Sequence, residues 1–236
     1  MSHFWSSGRA ESDRTWDMGY AEWDMRCRKW DTARVGWGRE GMPVKVGVLA
    51  LQGDVREHAR VLTALGAEVV RVRRPDELAE VQGLVLPGGE SSVVDKLSRA
   101  FGMQQPIRAA IAAGMPMYGT CAGLILLADR VADGIVGQET FGGLDITVRR
   151  NAFGSQADSF ETDLAVPVLG DPSVRAVFIR APLVIETGAD VETLAALDDG
   201  RIVAVRQGPL VGTAFHPEVS GETRFHELFL NAVRSA

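Results

Sequence analysis

From Pro43 onward, apolar and polar positions fall into blocks that read alternately as strand and helix. Residues 44–50 form a nearly unbroken apolar run, the pattern of a strand covered on both faces. Leu51-Gln52-Gly53 interrupts it, and Asp54-Val55-Arg56-Glu57 has the spacing of a capping box opening a helix that ends near Gly66. Residues 68–72 read as a second strand and residues 75–81 as a short helical turn. A third strand over residues 83–86 runs into Pro87-Gly88-Gly89-Glu90-Ser91-Ser92. Helical segments follow around residues 93–100 and 105–113. Strands separated by helices imply a parallel sheet with helices on both faces. After about residue 140 the texture changes: residues 145–148, 174–179, 184–186, 202–206 and 210–215 are β-like, joined by short turns such as Asp199-Gly200. They read as antiparallel strands extending the same sheet, with a final helix over roughly 223–233. The pattern predicts an α/β fold in one domain spanning residues 43–236, a mostly parallel central sheet flanked by helices with an antiparallel extension.

Residues 1–42 do not share this pattern. All five tryptophans lie there, and Trp16, Trp23, Trp30 and Trp37 recur every seven residues. A coiled-coil seam needs a second apolar position in each heptad, and sites such as Tyr20 and Arg34 do not supply one. The segment reads as a leader outside the core, either a disordered extension or coding upstream of a start at Met42. A tryptophan-anchored docking arm is the functional alternative.

Composition narrows the setting. The chain has 236 residues and a formal net charge of −6, with no basic block to attract nucleic acid. Cys27 and Cys121 are its two cysteines, too few for a disulfide framework or a zinc cluster. No apolar run reaches membrane-spanning length, and the amino terminus lacks the apolar core of a secretory signal. The expectation is a reducing, cytoplasmic setting, with no metal, no cofactor, no nucleic acid and no membrane partner.

The chemistry concentrates in three places. Gly119-Thr120-Cys121-Ala122-Gly123 lies between a short apolar run suited to a strand and another suited to a helix. It is a cysteine version of the nucleophile elbow, in which glycines on either side let backbone segments approach closely. The turn lifts the sulfur to a helix start, where free N–H groups and the helix dipole favour a thiolate. A cysteine nucleophile needs a base, and the base needs an orienting partner. His3 lies in the leader, and His58 and His226 fall within helices, where a packing or surface role is expected. His216 follows an apolar strand in His216-Pro217-Glu218, at the kind of strand end where sites of open α/β sheets gather. Glu218 stands where it can turn back on the imidazole. The third place is Pro87-Gly88-Gly89-Glu90-Ser91, whose glycines free backbone N–H groups to form an oxyanion hole. A phosphate loop is the competing reading, but no lysine follows in the Walker pattern.

In that order, the elbow, the Pro-Gly-Gly-Glu-Ser loop and the late His-Pro-Glu resemble a class I (triad) glutamine amidotransferase, a flavodoxin-like architecture. Further segments resemble the glutaminase subunit of pyridoxal 5′-phosphate synthase. They are Leu51-Gln52-Gly53 with Arg56-Glu57-His58, Arg150-Asn151-Ala152-Phe153-Gly154, Asp158-Ser159-Phe160-Glu161 and Phe178-Ile179-Arg180-Ala181-Pro182. The resemblance covers residues 43–236 and none of the leader. It implies hydrolysis of L-glutamine, with ammonia passed to a synthase subunit in a hetero-oligomer. By match to the family motifs, Cys121, His216 and Glu218 are the triad. Gly89, Glu90, Ser91, Arg150, Ile179 and Arg180 line the glutamine pocket, and Gly89 and Ala122 supply the oxyanion hole. Gln52, beside the Gly88-Gly89 loop, is the expected point of gating by the partner. The family pattern has Phe-Gly-Arg-Gln where this chain has Phe153-Gly154-Ser155-Gln156, which removes one charge. The enzyme alternatives are a glutaminase subunit serving another synthase and a cysteine hydrolase of the same architecture. A catalytically silent binding module is disfavoured, because all three triad residue types are present.

Overall fold

The computed structural model describes residues 43–152 and 159–236. Residues 1–42, read above as a leader, lie outside the described residues, and so do Phe153, Gly154, Ser155, Gln156 and Asp158. The first half of the described chain alternates strictly. β1 (Lys45–Leu49), α1 (Val55–Ala64), β2 (Glu68–Val72), α2 (Pro75–Leu78) and β3 (Leu84–Leu86) lead to α3 (Ser91–Ala100), α4 (Gln104–Ala112), β4 (Met117–Thr120) and α5 (Ala122–Leu127). The second half is mostly strand: β5 (Ala128–Val131), β6 (Leu144–Arg149), β7 (Phe160–Leu164), β8 (Val174–Phe178), β9 (Leu183–Thr187), β10 (Glu192–Ala196), β11 (Ile202–Gln207) and β12 (Leu210–Thr213). Two helices close it, α6 (Pro217–Ser220) and α7 (Arg224–Ser235).

The main sheet runs β2-β1-β3-β4-β12-β11-β9-β6-β5, with β10 also on β11. Its first five strands are mutually parallel. β11 is antiparallel to β9, β10 and β12, β6 is antiparallel to β9, and β5 returns parallel to β6. The predicted class therefore holds, a parallel core with an antiparallel extension. Two details differ from the sequence reading. β12 joins the parallel core beside β4, because its apolar Leu210–Thr213 run is buried on both faces like its neighbours. β8 leaves the main sheet altogether and pairs with β7 in a separate two-stranded ribbon, where Phe160 stacks on Phe178 at 4.6 Å between ring centroids. Strands β5, β7 and β10 have mixed polarity and were not foreseen; each is an edge strand or in a ribbon, so only part of it needs an apolar face.

Alternation along the central strands decides what faces the site. On β4, Tyr118 and Thr120 face α1 and α7, whereas Gly119 faces α5. β12 repeats this: Thr213 shares the side of Tyr118, with their hydroxyls 3.2 Å apart, and Gly212 meets Leu124 of α5. α1 buries His58, Val61 and Leu62, spaced i, i+3, i+4, and α7 buries Phe225, His226, Phe229, Leu230 and Val233. Both helices thus carry one histidine on an otherwise apolar face. Among the described residues, no helix is long and apolar enough to cross a membrane.

Candidate active site

β4 and β12 are neighbouring parallel strands in register, Thr120 opposite Thr213. One residue beyond the first comes Cys121, and three beyond the second comes His216. The site therefore forms at the carboxyl ends of the central strands, as open α/β sheets direct.

The elbow is built by close backbone approach. A Cβ on Gly123 would lie 2.0 Å from the Leu86 carbonyl oxygen, and one on Gly119 would lie 2.5 Å from the Gly123 carbonyl carbon. No side chain fits either place. Cys121 itself has φ 48° and ψ −99°, a conformation that costs an L-residue roughly 1–3 kcal/mol. The Cys121 N–H donates to the Thr213 carbonyl at 2.8 Å, so the neighbouring strand holds the elbow in this shape. Ala122 opens α5, where the first N–H groups have no intrahelical acceptor.

His216 is buried, and its N–H donates to the Val177 carbonyl of β8 at 3.0 Å. Its Nδ1 donates to Glu218 Oε1 at 2.8 Å, the turn back predicted from the His-Pro-Glu spacing. Burial by itself lowers the imidazole pKa. Asp54, Cys121 and Glu218 more than offset this and push it up to about 12, so His216 carries its proton at neutral pH. Burial alone raises Glu218, but His58 and His216 together hold it well below the usual carboxylate range. Asp54 does not form the expected capping box: its side chain makes no cap hydrogen bond to α1, and Oδ2 lies 3.5 Å from His216 Nδ1. The imidazole takes the carboxylate that the helix terminus would otherwise use. Asp54, His216 and Glu218 place one donor atom each within 4.8 Å of one another, the described set with the spacing to share a metal ion.

The glycine loop packs against the turn after β1. Asp54 N–H donates to the Gly88 carbonyl at 3.2 Å, and Glu90 N–H donates to Gln52 Oε1 at 2.8 Å. Gly89 has φ 151° and Gly53 has φ 106°, both in the region that favours glycine. Glu90 and Arg150 form an ion pair at 2.9 Å. Arg150 Nη1 also donates to Gln138 Oε1 at 2.9 Å, and Gln138 Nε2 donates to the Ser91 hydroxyl at 3.1 Å. The predicted pocket residues Glu90, Ser91 and Arg150 thus form one network, with Gln138 as a member that no sequence motif marked. Ile179 and Arg180 follow β8 directly, two and three residues beyond the carbonyl that binds His216. Arg180 has φ 46°, and the next residue, Ala181, accepts from Ala152 N–H at 3.0 Å, which ties this corner to the Arg150 turn.

Of the packing and surface roles expected for His58 and His226, the structure shows packing. Both are fully buried, and His58 Nε2 lies 3.4 Å from Glu218 Oε1. The signal available in sequence was the placement of His58 among Val61 and Leu62 on the apolar face of its helix.

A cysteine on a strand-to-helix elbow, an imidazole at the end of the adjoining strand and a carboxylate behind it are the arrangement that cysteine nucleophile chemistry on an α/β sheet requires. Comparison with known proteins narrows this: the chain belongs to the SNO glutamine amidotransferase family, whose model matches residues 48–235. It is 67% identical over 186 residues to the pyridoxal 5′-phosphate synthase subunit PdxT of Leifsonia xyli subsp. xyli, covering 79% of this chain and 94% of that one. The PdxT protein of Clavibacter michiganensis subsp. michiganensis is 64% identical over 191 residues, covering 81% of this chain and 91% of its own length. A crystal structure of a glutamine amidotransferase superposes with a TM-score of 0.75 at 44% identity, over 80% of this chain and 98% of that one.

Proposed function

We propose that this chain hydrolyses L-glutamine to glutamate and ammonia and delivers the ammonia to the synthase subunit of a pyridoxal 5′-phosphate synthase, in the cytoplasm. The observation that carries the chemistry is the 2.8 Å His216–Glu218 hydrogen bond at the end of the strand next to the Cys121 elbow. The relatedness to PdxT proteins supports the choice of partner.

In this reading the Cys121 sulfur, as thiolate, attacks the side-chain amide carbon of glutamine, and the carbonyl oxygen takes up the displaced electron pair. Backbone N–H groups of Gly89 and Ala122 receive that oxyanion. Collapse of the tetrahedral species breaks the C–N bond, and protonated His216 gives its proton to the leaving nitrogen, releasing ammonia and leaving a glutamyl thioester. Neutral His216 then takes a proton from water, whose oxygen attacks the thioester; glutamate departs and the thiolate is regenerated. Glu218 holds the imidazole throughout. The Glu90–Arg150 pair, Ser91, Ile179 and Arg180 form the pocket for the amino and carboxylate groups of glutamine.

Activation by the synthase acts through Gln52 in this reading. The Gln52 side chain holds the N–H of Glu90 next to the Gly88-Gly89 peptide, and a glycine pair passes readily between backbone basins. Docking near Gln52 turns the Gly89 N–H into the oxyanion site, and one such donor is worth roughly 10²–10³ in turnover. The test is ammonia release from glutamine with increasing synthase subunit. Turnover is expected to rise far more than glutamine affinity; a maximal rate already reached by this chain alone would defeat the gating, and no ammonia under any condition would defeat the assignment.

A further inference from the structure

The mechanism leaves two buried imidazoles without a task. His58 on α1 and His226 on α7 come from opposite ends of the chain and meet behind Glu218. His58 Nδ1 lies 2.9 Å from His226 Nε2, and His58 Nε2 lies 3.0 Å from Thr120 Oγ1 and 3.4 Å from Glu218 Oε1. A continuous line therefore runs from His216 through Glu218 and His58 to the last helix.

The proton positions follow from what each group can do. An ionised carboxylate only accepts, so the His58 nitrogen facing Glu218, Nε2, carries the proton. His58 Nδ1 then accepts, and His226 Nε2 must donate to it. This leaves the Nδ1 lone pair of His226 as its atom without a hydrogen-bond partner. The opposite arrangement would strand a buried N–H there, which proteins avoid more strictly than an unpaired acceptor. Burial lowers His226 to about 3, against an opposing pull from Glu218. His226 is neutral at any working pH and keeps its donor facing His58.

We propose that His58 is a positioning residue of the amidotransferase reaction: its Nε2–H, set between Thr120 Oγ1 at 3.0 Å and Glu218 Oε1 at 3.4 Å, steadies Glu218 in the orientation that aligns His216, and His226 fixes the His58 tautomer that presents this N–H. The proposal rests on reading Cys121, His216 and Glu218 as the triad. Its physical basis is that Glu218 is buried and must stay ionised to accept from His216. The groups facing this carboxylate are His216 with Asp54 and Cys121 beyond it, His58 from α1, His226 from α7 and Tyr118 from β4. Tyr118 is a neutral phenol, held well above its ordinary value by burial and by Glu218. Without His58, the close polar contact left to Glu218 Oε1 is that from His216.

Two substitutions separate positioning from packing. His58→Gln places an amide nitrogen near the former Nε2 and keeps a donor toward Glu218. His58→Asn keeps an acceptor near the former Nδ1, toward His226, and withdraws the donor. In the complex with the synthase subunit, His58→Asn is expected to lose about 10–100-fold in kcat, the loss of one polar contact to a buried carboxylate. Its KM for glutamine should stay within about threefold. His58→Gln should keep most of its kcat. Equal losses in the two variants, or a His58→Asn kcat within about threefold of wild type, overturn the proposal. Should neither variant fold, ¹⁵N shifts of the imidazoles in the wild-type protein decide. His58 protonated at Nε2 and bare at Nδ1 supports the proposal, and the reverse tautomer overturns it. Cys121→Ala serves as the control for the underlying reading. Glutamine hydrolysis surviving in it removes the triad assignment itself, whereas an inactive Cys121→Ala beside an unchanged His58→Asn kcat removes this inference alone.

Discussion

One methyl group on Gly88 is expected to silence the enzyme while every residue of the proposed triad remains. An added Cβ there would lie 2.4 Å from His216 Cε1, 2.9 Å from His216 Nδ1 and 2.9 Å from Asp54 Oδ2. Ordinary carbon–carbon contact begins at about 3.5 Å, so either the loop or the ring must shift by about 1 Å. Unless the Gly88-Gly89 peptide turns, the loop is held on its other side. Asp54 N–H donates to the Gly88 carbonyl at 3.2 Å and Gln52 accepts from Glu90 N–H at 2.8 Å. Gly53 packs so closely that a Cβ on it would sit 1.8 Å from the Gly88 oxygen. The imidazole therefore yields, and its 2.8 Å bond to Glu218 is stretched or broken. A misplacement of about 1 Å in a catalytic group costs roughly 10²-fold, and losing one charge-assisted hydrogen bond, about 1.5–3 kcal/mol, gives a factor of similar size. The assay is steady-state ammonia release by Gly88→Ala in the presence of the synthase subunit, with thermal unfolding measured alongside. Gly134→Ala is the control, since its nearest neighbour would be Val131 Cγ1 at an ordinary 3.6 Å. A kcat for Gly88→Ala within about threefold of wild type would refute the reasoning, because it would mean that the loop and not the ring gives way.

Cys121→Ala is expected to abolish glutamine hydrolysis with the fold retained, His216→Ala to do the same, and Glu218→Ala to lose less, because the imidazole remains; ammonia release orders the three. Because Cys121 has φ 48°, Cys121→Gly should unfold with a free energy about 1–3 kcal/mol higher than Cys121→Ala, as read from urea titrations. Gly123→Ala should destabilise the fold by about 1–3 kcal/mol or more, since its Cβ would meet the Leu86 carbonyl at 2.0 Å; an unchanged melting temperature would contradict this. His226, lowered from 6.5 to about 3, lends stability that is full above pH 6.5 and fades as pH falls toward 3. By pH 5 that loss amounts to about 2 kcal/mol, so His226→Gln should flatten the acid side of the stability curve, whatever its stability at pH 7.

Local chemistry was readable along the chain wherever one short segment carries both the fold and the function. Gly119-Thr120-Cys121-Ala122-Gly123 requires glycines in any structure that turns a strand this sharply into a helix, so the spacing alone marked the elbow that the structure forms. His216-Pro217-Glu218 has a partner two residues away, and the structure places that pair at 2.8 Å as expected. The apolar blocks likewise determined the parallel core, because strands buried on both faces cannot hide their composition. What sequence could not decide is which distant segments meet. Placing β12 beside β4 depended on which two fully buried strands pair, and departure of β8 into its own ribbon depended on Phe160 stacking with Phe178. Asp54 reads along the chain as a helix cap, and only the packing of the β1–α1 turn against the Gly88 loop brings its carboxylate to the imidazole instead. His58 and His226 are separated by 168 residues, and each looks like an ordinary member of an apolar helix face. Their contact comes into being when α1 and α7 close over the same side of β4, since a hydrogen bond of 2.9 Å depends on the positions of both backbones and not on either local pattern.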